Sequence, residues 1–169
     1  MTGWVALLRA VNVAGTGKIA MTELAELARR LGLGQVRTYI ASGNLIFASP
    51  LIEDDLRALI EQAIEAEFGA RVGVLIRSAG ELAGVAARCP WPDRPGNRVL
   101  VLFTDEVPSL EGVRHQNGEM LALGQRELFI EYPDGIGSSK LMIPAAKAGT
   151  ARNMNTVRKL AELAAIAAS

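Results

Sequence analysis

The sequence contains a single cysteine, Cys89, and a single histidine, His115. One cysteine forms no disulfide within the chain, which suits a reducing compartment, and a cytoplasmic protein is expected. One cysteine and one histidine cannot build a zinc centre of the usual kinds, so no metal and no cofactor are expected. Net charge is also missing: 18 basic residues balance 18 acidic ones. That balance gives no overall pull toward nucleic acid or an anionic membrane. Aromatic residues make up only 5% of the chain, and no RNP motif is present, which argues further against an RNA-binding sheet. No run of about 18 apolar residues exists, so no helical membrane span is expected. Residues 1–9 carry no basic leader and no small-residue cleavage site follows them, so no signal peptide is expected either.

What is present reads as an α+β protein. Half of the 169 residues are apolar, enough for a real core without staples. Residues 4–11 (WVALLRAV) form an almost continuous apolar run, broken by Arg9, and read as a buried strand. A glycine-containing loop, 12–18, follows. Leu24, Leu27, Ala28 and Leu31 then recur at helical spacing, and Gly32 can end that helix. Residues 36–48 read as a hairpin around Ser42-Gly43-Asn44. Leu56, Leu59, Ile60, Ala63, Ile64 and Phe68 make the clearest helical stripe, with Leu59 and Ile60 in its middle. A strand at 72–76 completes a βαββαβ order, the ferredoxin-like pattern. Ser78 with Glu81 predicts a capping box for a third helix. Residues 99–103 read as a strand, and 120–123 with 127–132 as a second hairpin. Asn153 or Asn155 can cap a final helix. The expected architecture is a ferredoxin-like half, 1–77, packed with a second, smaller α+β half, 78–169, short enough to share one compact unit.

The segment LLRAVNVAGTGKIAMTELAELARRLGLGQVRTYIASGNLIFAS resembles the opening of the bacterial domain-of-unknown-function family DUF1697. That family shows an LLRGINVGG-type loop, a KM-x-EL helix start and an RTYIQSGN-type hairpin. YPDGIGSSKL and RNMNTVRKLAEL are similar to its later blocks. Ala10, Ala14 and Met154 depart from the pattern, standing where glycine, glycine and tryptophan are expected. The resemblance implies an α+β fold with ferredoxin-like character and implies no activity.

Several motifs have ordinary explanations. The Gly15-Thr16-Gly17-Lys18 loop lacks the first Walker glycine, with Asn12 in its place, and has Ile19 where a magnesium-binding hydroxyl belongs. His115 lies in the polar stretch HQNGE and reads as a solvated surface residue. Cys89 continues an apolar helix face and reads as a packed thiol. Tyr39 and Phe47 would offer stacking rings only if their sheet face stayed open, and Arg37 is expected beside Tyr39.

A set of polar residues in loops between strong elements remains: Arg9, Asn12, Lys18, Ser42, Asn44, Ser139, Lys140, Arg152, Asn153 and Asn155. Cations and amide or hydroxyl donors without a clear base suit an anionic group such as phosphate or carboxylate. The leading expectation is a binding module for a small anionic ligand, with Arg9, the 132–140 loop and the RNMN segment converging on it. One alternative is a metal-independent enzyme on such a ligand. Another is a nucleic-acid or protein interaction module using the sheet face. The competing explanation for the same residues is that Asn and Ser close turns and that Arg9 pairs with an internal carboxylate such as Glu131.

Overall fold

The computed structural model describes residues 1–9, 19–40 and 43–169. The order of regular elements is β1 (Thr2–Leu8), α1 (Met21–Arg30), β2 (Gly34–Thr38), β3 (Asn44–Ser49), α2 (Glu53–Phe68), β4 (Val74–Ser78), α3 (Ala79–Ala87), β5 (Val99–Phe103), β6 (Met120–Leu123), β7 (Glu127–Glu131), β8 (Thr150–Asn153) and α4 (Met154–Ala168). Among the described residues the fold is mixed α/β, with two four-stranded antiparallel sheets and four α-helices. The chain divides into two compact units: Met1–Ala83 with Leu160–Ser169, and Gly84–Lys159. No described helix is long and apolar enough to cross a membrane.

In the first unit the sheet order is β2-β3-β1-β4. Register fixes which residues share a face, because side chains alternate along a strand. Ala6 lies between Leu45 and Ile76, and Trp4 opposite Phe47. That face carries the core with Leu24, Leu27 and Ala28 of α1 and Leu56, Ile60 and Ile64 of α2. Phe47 is fully buried there, so it is unavailable for stacking. Arg37 pairs with Ile46, so the face that alternation gives to Arg37 and Tyr39 is opposite that of Phe47, which corrects the expected grouping of Tyr39 with Phe47.

The opposite face of this sheet is buried too. Val5, Leu7, Ile46 and Leu75 are at most 2% exposed. Within the unit, the C-terminal part of α4 approaches this face at Gly3, where a Cβ atom would stand 1.9 Å from the Ala164 carbonyl oxygen. Arg77, opposite Val5, is the largest fully buried side chain on the face, with its guanidinium donating to the Ile76 carbonyl at 3.0 Å. Arg9, which the sequence placed inside the strand, lies just past its end at Leu8 and is half-buried.

The second unit repeats the spatial order four strands on, as β6-β7-β5-β8. Leu102, Leu128, Ile130 and Tyr132 share one face. There the segment after β7 folds back, and Leu141, Ile143 and Ala145 cover them in place of a long helix. The β6–β7 turn is held by Glu127, whose carboxylate accepts the backbone N–H groups of Gln125 and Arg126 and pairs with Arg88 at 3.1 Å.

Candidate functional site

The expected site residues divide between the two units. Asn12, Lys18, Ser42 and the Gly15–Lys18 loop lie outside the described residues. Arg9 and Asn44 belong to the first unit. Arg9 stacks its side chain over Gly73, with Cδ about 3.0 Å from where a Cβ would stand. Asn44 is fully buried, and its amide donates to the Tyr39 carbonyl at 2.9 Å, which closes the β2–β3 connection. Arg152, Asn153, Asn155, Ser139 and Lys140 belong to the second unit. Arg152 is a β8 residue, buried beside Val101, with its guanidinium donating to Thr150 Oγ1 at 2.7 Å. Burial pushes its pKa down to about 10, which leaves it charged at neutral pH. Asn153 caps α4, its Oδ1 accepting the Thr156 N–H at 2.9 Å. Asn155 packs against Gly96, where any Cβ would meet its amide oxygen.

Among the described residues, Ser139 and Lys140 line a common cavity. It has a volume of about 380 Å³ and also involves His115, Glu119, Tyr132 and Asp134. Strand pairing explains how it forms. The β6–β7 ladder ends at Met120 opposite Glu131, and one step further the register sets Glu119 across from Tyr132. Beyond that point the two chains part. On one side left-handed backbone at His115 (φ 60°) and Gly118 (φ 89°) turns the chain. On the other, Gly135 (φ 87°) starts a short 3₁₀ turn at Ile136–Ser138. The two branches meet again at a bridge: Arg114 and Met142 exchange N–H···O bonds of 3.0 and 2.9 Å. The cavity lies among these branches, and the bridge ties them without needing a ligand.

Glu119 is the buried charge of the lining, at 7% exposure. Its Oε2 accepts the Ser139 hydroxyl at 2.5 Å and its Oε1 accepts the Asn117 N–H. Gln116 donates to its backbone carbonyl at 2.7 Å. The Ser139 hydroxyl, together with the Asn117 N–H, holds the Glu119 carboxyl below its ordinary pKa, because these donors favour the ionised form. Burial raises the Tyr132 phenol, and the Glu119 charge adds to that. Ser138 donates to the Asp134 carbonyl at 3.0 Å. Lys140 is exposed and has no hydrogen-bond or ion-pair partner among the described residues. Among the described residues no three His, Cys, Asp or Glu side chains gather closely enough to hold a metal ion.

The sequence matches the family described as "Protein of unknown function (DUF1697)" over residues 1–129. The chain belongs to this family. The DUF1697 match takes in the His115–Glu119 side of this chain's cavity and stops short of Tyr132 and the Ser138–Lys140 loop. The solved structure titled "The structure of conserved bacterial protein SP0830 from Streptococcus pneumoniae" has the same fold. It gives a TM-score of 0.78 at 23% identity and covers 96% of this chain and 98% of its own. No curated protein matches the chain.

Of this lining, the sequence expectation names Ser139 and Lys140 and does not name Glu119 or Tyr132. His115, expected as a solvated residue, is exposed as well as lining the cavity. The available signal was the hairpin itself: extending its pairing past Met120 and Glu131 places the two missed side chains opposite each other.

Proposed function

We propose that this DUF1697 protein is a binding module for a small ligand bearing an anionic group, phosphate or carboxylate, seated in the cavity of the second unit. Lys140 carries the reading. It is a cation on the lining with no partner among the described residues, beside the Ser138 hydroxyl and the exposed His115. A free ammonium at a polar cavity suits phosphate or carboxylate. Glu119 supports binding over catalysis. A carboxylate held below its ordinary pKa is a poor base for drawing a proton from Ser139. We further propose that the first unit is a ferredoxin-like scaffold, on the strength of its βαββαβ order and β2-β3-β1-β4 sheet. The single cysteine supports a cytoplasmic setting.

The test is a thermal-shift series, followed by calorimetry, with inorganic phosphate, small phosphate monoesters and small carboxylates. Binding should raise Tm by mass action. Lys140→Ala should abolish the rise and leave the ligand-free Tm unchanged, since the side chain is exposed. No rise with any of these compounds, or a rise that survives Lys140→Ala, overturns the proposal.

A further inference from the structure

We propose that the ligand is a zwitterion, whose anionic end meets Lys140 and whose ammonium end meets the Glu119 carboxylate. The inference rests on the reading above and deepens it, because it concerns the same cavity. Its starting point is that Glu119 is buried, at 7% exposure, yet has no Lys, Arg or His nitrogen within 4.0 Å among the described residues. Its partners are neutral: the Ser139 hydroxyl and the Asn117 N–H. Its own backbone N–H also favours the charge, and an ionised carboxylate offers about four acceptor positions, so capacity remains for another donor. An ionised carboxylate with an open acceptor position on a cavity lining is a natural partner for an ammonium, which makes a charge-assisted hydrogen bond to it.

The rest of the lining points the same way. Its carboxylates are Glu119 and Asp134, and its lysine is Lys140 alone. A plain anion would gain Lys140 and meet repulsion from two carboxylates. A plain cation would gain Glu119 and leave Lys140 uncompensated. A molecule with both charges satisfies both groups, and a cavity of about 380 Å³ lies within the range of small-molecule sites. The carboxylate is also set in advance. Ser139 fixes one oxygen while itself accepting the Leu141 N–H at 3.2 Å, and the Arg114–Met142 bridge holds the two branches together. A preorganised acceptor loses little freedom when the ligand arrives.

Calorimetry on the intact protein with matched pairs tests the inference: O-phosphoethanolamine against ethyl phosphate, and γ-aminobutyrate against butyrate, with butylamine as the cation alone. The amine-bearing member of a pair should bind at least about tenfold tighter, the effect of one charge-assisted hydrogen bond. Glu119→Gln should bring the pair to parity without loss of the amine-free member. The comparison within the unmodified protein needs no variant and stands even if Glu119→Gln fails to fold. Equal affinities within both pairs overturn the zwitterion and leave the anion reading in place. A preference for the amine that persists in Glu119→Gln overturns the role of Glu119. Butylamine binding as tightly as γ-aminobutyrate overturns the anionic end, and binding by none of the five overturns both proposals.

Discussion

Glu119 is ionised by the company of a hydroxyl and an amide, an arrangement that ties stability to acid conditions. Its folded-state pKa lies below the ordinary value of 4.5. A carboxyl depressed in the folded state stabilises the protein above its unfolded pKa, and that contribution is lost as pH falls through the folded one. The expected outcome is a steeper loss of stability below about pH 4.5 in the unmodified protein than in Glu119→Gln, whose amide does not titrate. Urea unfolding between about pH 6 and pH 3 measures it. Parallel curves would mean that Glu119 has the same affinity for protons folded and unfolded. Tyr132 follows from the same contact: its phenol stays protonated well past neutrality, so it adds no second charge beside the carboxylate.

At the scale of elements, α2 shows how closely a periodic stripe predicts packing. Ile60 is 2% exposed, whereas Leu59 is half-buried at the edge of the same core. Ile60→Ala should cost about 2–4 kcal/mol, a transfer loss plus a cavity, and Leu59→Ala clearly less. Chemical denaturation of the two variants checks the order, and equal losses would mean that the helix is rotated from this register. Elements with strong local signals were legible in the sequence. The α1 stripe, both hairpins, β5 and the Ser78–Glu81 capping box all appear, the box with both reciprocal bonds at 3.1 Å. β8 was not legible, because four residues with an arginine among them show no alternation that marks a strand. Arg152 belongs to the strand, while Asn153 at its end caps the helix as the sequence predicts. The cavity was half legible for the same reason. Ser139 and Lys140 stand in an obvious turn-rich loop, whereas Glu119 acquires its meaning from a hydroxyl 20 residues away. Composition is silent on such a contact; strand register supplies it.

Across the whole molecule, the first unit is discontinuous in sequence, since Leu160–Ser169 belongs with Met1–Ala83. Gly3 is the point of closest approach. A methyl group there would stand 1.9 Å from the Ala164 carbonyl oxygen and 2.9 Å from its carbon, both backbone atoms that no rotamer change can move aside. Gly3→Ala should therefore force the helix off the strand and cost at least about 1–3 kcal/mol, as overpacking does. A thermal melt checks this, and an unchanged Tm would show that the end of α4 is not seated on β1.

That seating has a consequence for the order in which the protein can come into being. A polypeptide is made from its N-terminus at about 5–20 residues per second. The strand bearing Gly3 emerges before its partner around Ala164, which follows the whole of Gly84–Lys159. The helices over the other face, α1 and α2, are available early, so one side of the sheet can close at once. The contact at Gly3 must wait for Leu160–Ser169, which is made only after the second unit.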